Sequence, residues 1–115
     1  MGRSRAVAFD NLVFTVATAP GPTSVQEQTV QVLARIEQNL ATAGSDKTRL
    51  LSATVYLADI ASKAAMDAAW NDWIGPHNWP QRACVQAGLA PGVLVEMTVI
   101  AARQSGLDDA APHQE

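Results

Sequence analysis

The residues best suited to do chemistry lie near the end of the chain. Arg82 and Glu96 are the only charges in two apolar runs, Arg82–Ala87 and Val93–Ala102. Arginine offers a planar, permanently charged fork that holds a small carboxylate through paired hydrogen bonds. A carboxylate set between Val95 and Met97 is costly to bury unless it is paired or used. Each residue has two readings. Arg82 is a salt-bridged strand residue or a carboxylate anchor; Glu96 is its partner or a group that holds and polarises a water. Gly88-Leu89-Ala90-Pro91-Gly92 reads as a turn between the runs, so a hairpin is expected, with Arg82 and Glu96 opposite or diagonal across the ladder.

Cys84 shares the strand face of Arg82 and Gln86. As a nucleophile it would need His77 as its base and a third orienting group, which the sequence does not supply; its commoner role is that of a small buried apolar side chain. The neighbouring guanidinium is expected to lower the thiol pKa and favour reaction with electrophiles. Trp79 is expected to line a pocket or a subunit contact, whereas Trp70 and Trp73, at helical spacing, read as core. The only histidines are His77 and His113, and no Cys/His spacing resembles a ligand set. No glycine-rich phosphate loop is present either, so neither metal nor cofactor is expected.

These residues need elements to hold them. Arg5–Phe9 and Leu12–Thr18, separated by Asp10-Asn11, read as a first hairpin. Ser24, with Glu27 three residues on, offers a capping box for a helix. That helix buries Val25, Thr29, Val32, Leu33, Ile36 and Leu40, with Gln28, Gln31, Arg35, Gln38 and Asn39 on its polar side, and it stops at Gly44. Leu50–Ala58 is a strand with Leu51, Ala53, Val55 and Leu57 on one side. A second helix opens at Asp59–Ser62, buries Ala65, Met66, Ala69, Trp70 and Trp73, and ends at Gly75-Pro76. The order is β-β-α-β-α-β-β, an α+β layer with both helices on one sheet face. The other face, with apolar residues from several strands, is expected to be buried in an oligomer.

The 115 residues suit a single domain, 1–104, followed by a polar, flexible tail over 105–115. A net charge of −3 without a basic stripe argues against nucleic-acid or membrane-surface binding. One cysteine and no apolar run of membrane length fit a soluble protein of the reducing cytoplasm.

The run P-Q-R-A-C-V-Q-A-G-L-x-P-G-x-L-V-E-M, the hairpin D-N-L-V-F-T and the strand T-V-Y-L-A-D together resemble the RidA (YjgF-type) family of imine/enamine deaminases over roughly Ser4 to Arg103. The resemblance implies a chorismate-mutase-like fold and a homotrimer whose sheets form a central barrel, with sites in the clefts between subunits. It implies that Arg82 grips the carboxylate of a small 2-imino acid or its enamine tautomer, that the backbone carbonyl of Cys84 helps hold the imine end, and that Glu96 positions the attacking water. Where much of the family has a tyrosine near the first strand and Ser-Gly-Gln after the second, this chain has Arg3 and Val16-Ala17-Thr18. Thr18 is therefore expected at the substrate, and the groups around the substrate side chain differ from the family's. Two other classes stay open: a small-carboxylate sensing module without efficient hydrolysis, and a ribonuclease or translation inhibitor.

Overall fold

The computed structural model describes residues 1–76 and 78–104; His77 and the expected tail over 105–115 lie outside the described residues. Ala6–Phe9 (β1) and Leu12–Thr18 (β2) pair antiparallel with Phe9 opposite Leu12, as expected. Asp10 takes a φ of 52° at the reversal, a left-handed conformation that Asp and Asn tolerate better than most side chains.

Val25–Thr42 forms the first helix, α1. The Ser24 hydroxyl accepts from the Glu27 backbone N–H and donates to the Glu27 carboxylate, each at 3.1 Å. This is a capping box in which the carboxylate meets the hydroxyl instead of the backbone. Gly44, with φ 83°, follows the last turn. The buried stripe contains Thr29, Val32, Leu33, Ile36 and Leu40, but also Gln28, which was expected on the polar side. Gln28 is three residues after Val25 and four before Val32, so helical spacing places it on the apolar stripe. Its burial is tolerated because both ends of the amide have partners: Nε2 donates to the Pro22 and Gly92 carbonyls at 2.7 and 2.9 Å, and Oε1 accepts from Leu94 N–H at 2.9 Å. Gln28 thereby fastens α1 to the connection before the last strand.

Leu50–Leu57 forms β3. A register shift between Leu50 and Ser52 marks a β-bulge. The extra residue reverses the expected phase at this end: Leu51 is 49% exposed and Leu50 is buried. A short helical turn, Ile60–Ser62, leads into the second helix, α2 (Lys63–Ile74), which stops at Gly75 with φ 75°. Met66, Ala69, Trp70 and Ile74 are buried, while Ala65 and Trp73, both expected in the stripe, are half-buried. Trp73 Nε1 donates to Glu37 Oε1 at 2.7 Å and ties α2 to α1.

Gln81–Gln86 (β4) and Val95–Ala102 (β5) complete the sheet, whose strand order is β1-β2-β5-β3-β4. The expected hairpin between the last two strands is therefore overturned. β5 runs antiparallel between β2 and β3, and β4 pairs with β3 in parallel at the sheet edge. The most apolar strand takes a central place, and the connection over 87–94 crosses the end of β3. Ala87 N–H donates to the Leu57 carbonyl at 2.9 Å, and Ala58 N–H to the Leu94 carbonyl at 3.1 Å.

Both helices cover one face of this sheet. Val13, Ala53, Val55, Val95, Met97 and Val99 lie beneath them in one cluster with Leu33, Ile36, Met66 and Trp70. On the opposite face Val7, Phe14 and Val85 stay exposed, and Glu96, Thr98 and Ile100 are half-buried. Among the described residues no helix is long and apolar enough to cross a membrane.

Candidate functional site

Two groups of residues emerge, one at the free edge of the sheet and one at the far end of β2. The first is set by β4. The bond from Ala87 N–H to β3 fixes the strand's phase, so Ala83, Val85 and Ala87 direct their backbone groups toward β3. By alternation the N–H and C=O groups of Arg82, Cys84 and Gln86 point off the unpaired edge. Among the described residues the Cys84 carbonyl is thus left open at that edge.

The Arg82 side chain lies on the helix-covered side. Its Nη2 donates to Asp67 Oδ1 at 2.6 Å, Nη1 lies 3.7 Å from Met66 Sδ, and its Cζ sits 5.2 Å from the Trp70 ring centroid. The side chain remains 19% exposed, and these contacts engage two of the five N–H donors of a guanidinium. Asp67 also accepts from Lys63 Nζ at 2.8 Å. Desolvation pushes the Asp67 carboxyl upward, but the hydrogen bonds from Lys63 and Arg82 outweigh it and hold the group below its ordinary 3.8. The partner of Arg82 is therefore Asp67, and the expected pairing with Glu96 is corrected. Glu96 stands opposite Tyr56 on β3, which stands opposite Val85 on β4, on the open face. Arg82 is three residues from that rung on the other face, roughly 14 Å away in the sheet from strand spacing and rise.

Cys84 packs against the core beside Arg82. Burial pushes its thiol above the ordinary 9.0, against the lowering pull of Arg82 and Lys63. The expected thiol activation is thus reversed, because desolvation exceeds the neighbouring charge. His77, the candidate base for it, lies outside the described residues. Trp79 is 72% exposed and donates Nε1 to the Gly75 carbonyl at 2.8 Å, which sets it just past the end of α2.

The second group surrounds Glu96. Thr18 is its direct neighbour across the β2–β5 ladder. Both line a cleft of about 650 Å3 between the segment before β1, the end of β2 and the outer side of α1. Arg35 Nη1 donates to the Thr18 carbonyl at 2.5 Å. Arg3 and Arg5 line the same cleft, while Arg82, Cys84 and Trp79 do not. One chain thus joins Thr18 to Glu96 and Arg82 to Cys84, but keeps the two pairs apart.

Sequence reasoning missed Asp67 and Arg35. Asp67 lies one residue beyond buried Met66 on α2, and nothing local links it to β4. Arg35 reads as an ordinary exposed helix residue, and only the tertiary fold brings it to Thr18.

The chain matches the model of the protein family described as endoribonuclease L-PSP over residues 4–103. It is similar to a RutC family protein of Haemophilus ducreyi, 38% identical over 102 residues, covering 86% of this chain and 87% of the relative. It is similar to the RutC family protein YoaB of Escherichia coli, 44% identical over 77 residues, 66% of this chain and 68% of that one. Among solved structures, a YjgF-family protein of Neisseria meningitidis superposes with a TM-score of 0.85 at 38% identity, covering 90% of this chain and 89% of its own.

Proposed function

From the premise that this chain belongs to the endoribonuclease L-PSP (YjgF/RutC/RidA) family, with its chorismate-mutase-like α+β fold, we propose that it hydrolyses small 2-imino acids to 2-oxo acids and ammonia. The observation that carries this reading is the free edge at β4. There a part-exposed guanidinium with donors to spare and the outward carbonyl of Cys84 belong to one strand, two residues apart. Arg82 holds the substrate carboxylate, and the Cys84 carbonyl accepts from the imine N–H. Water adds to the C=N carbon as the π electrons move to nitrogen. Glu96 takes one proton from the water and passes it to nitrogen. The hydroxyl proton of the resulting carbinolamine follows to the same nitrogen as the C–N bond breaks, so ammonia leaves with both protons of the water and the carbonyl forms. The step is redox-neutral and needs only orientation, charge complementarity and exclusion of bulk water.

Because Arg82 and Glu96 occupy opposite faces of one sheet, a site using both takes Arg82 and Cys84 from one copy and Glu96 and Thr18 from another. Support for such an assembly comes from the apolar open face, where Val7, Phe14 and Val85 are exposed. It also comes from the homotrimer that the family resemblance implies, its sheets facing inward as a barrel. We place the reaction in the cytoplasm, where PLP-dependent enzymes release such imines.

The test follows the disappearance of 2-iminopropanoate or 2-iminobutanoate generated in situ. Wild type accelerates the loss and Arg82→Ala does not. The separation of Arg82 from Glu96 within one chain also favours a second reading, a carboxylate-binding module. No acceleration together with binding of a small carboxylate would establish it. The family's name keeps RNA cleavage in view; salt-sensitive cleavage that survives Arg82→Ala would support that reading instead.

A further inference from the structure

The cleft around Glu96 has a charge surplus that a monocarboxylic substrate leaves unanswered. Three arginines line it, Arg3, Arg5 and Arg35, against one carboxylate, Glu96; counting side chains alone, three minus one leaves two positive charges. This surplus sits in a chain with a net charge of −3 and only 8 Lys and Arg in all. Among the described residues neither Arg3 nor Arg5 makes an ion pair; the salt bridges are those of Asp67 with Lys63 and Arg82. Guanidinium groups that line one cleft repel one another, and an anion between them offsets that repulsion.

The wall that bears them is fixed. The Arg5 carbonyl accepts from Thr15 Oγ1 at 2.6 Å and from Val16 N–H at 3.3 Å. Asn39 on α1 donates to that same Thr15 hydroxyl at 2.9 Å. Arg35 is tethered to Thr18, the ladder neighbour of Glu96. The cationic wall is thus bonded to the strand end on which the hydrolytic carboxylate stands.

We infer that this cleft binds a second anionic group and that the preferred substrates are 2-imino dicarboxylic acids, with the distal carboxylate held by Arg3 and Arg5. The inference rests on the deaminase reading for the word substrate, but the anion site stands on its own geometry. With Arg82 of one copy engaging the α-carboxylate, the distal carboxylate answers the charge that a monocarboxylic imine would leave.

Two measurements on the full chain test this. Calorimetry compares succinate and glutarate with propionate and butyrate. Turnover compares imines released in situ by amino-acid oxidases from aspartate or glutamate with those from alanine or 2-aminobutyrate. The dicarboxylates are expected to be favoured by about tenfold in Kd and in kcat/KM, the size of one charge-assisted hydrogen bond. Arg3→Gln/Arg5→Gln should bring both ratios close to unity, while the control Arg49→Gln, exposed and away from the cleft, keeps them. Equal affinities in wild type, or a preference that survives the double substitution, overturns the inference. If monocarboxylic imines are turned over without a dicarboxylate preference, the inference fails and the deaminase reading stands. If no imine is turned over but the dicarboxylate binding preference is present and lost in the double variant, the deaminase reading fails and the anion site stands.

Discussion

The two faces of the sheet are built to different ends. Under the helices the chain completes its own interactions: Val13, Val55, Met97 and Val99 are buried, Gln28 makes three hydrogen bonds, and Arg82 finds Asp67 and Trp70. On the open face, among the described residues, Phe14 and Val85 stay exposed, and the strand partners of Glu96 are Thr18 and Tyr56, neither of them cationic. The covered face specifies the fold of one chain, while the open face carries the exposed apolar residues on which the proposed contact with another copy rests. If that division holds, substitutions of the buried side chains under the helices should act first on stability, and those around Glu96 or of Arg82, which stays part-exposed at the sheet edge, on turnover.

The largest effect expected is on the covered face. Leu33→Ala should lower unfolding free energy by about 2–5 kcal/mol, as for other buried leucines, read by denaturant titration. A smaller loss would mean that the helix layer is less closely packed than its burial implies. Glu96→Gln should reduce kcat by about a hundredfold with little change in KM, since the carboxylate acts on water and not on the ligand. An unchanged kcat would make Glu96 a structural residue. Gln28→Ala removes the fastening of α1 to the 87–94 connection and should cost about 1–3 kcal/mol, with faster amide exchange at Leu94. Loss of activity without loss of stability would show that the connection serves the site alone.

The smallest effect concerns Asp67. Its carboxyl is held below 3.8 in the folded protein, so the ion pair stabilises the fold fully above that pH. The stabilisation is lost as pH falls through the lowered folded value. Asp67→Asn should cost about 0–1 kcal/mol at neutral pH, in keeping with a part-exposed pair, and should flatten the decline in thermal stability below about pH 4. A steeper acid decline in the variant would contradict that sign.

Much of the protomer was legible because its signals are local. Ser24 and Glu27 mark the start of α1, Gly44 and Gly75 mark helix ends, and alternation gives the strands their faces. The order of strands was not legible, because a Pro-Gly turn says that the chain reverses without saying which strand it meets. Residues 87–94 form a longer connection than the roughly two to five residues of a tight hairpin, and that length was the available hint. Of the candidate site, the residue types were readable at Arg82 and Glu96. Their relation was not, since sheet face and strand neighbour are set by pairing with β3 and β2, far away in sequence.

The proposed sharing of one site between two copies is tested most directly by subunit complementation. Arg82→Ala, expected to be inactive toward 2-iminopropanoate, and Glu96→Gln, expected to be about a hundredfold slower than wild type, are mixed, dissociated and reassociated. A site built from two copies predicts that activity returns, to about a quarter of wild type for random equimolar mixing. Hybrids as inactive as the separate variants would contradict it and confine any chemistry to a single chain.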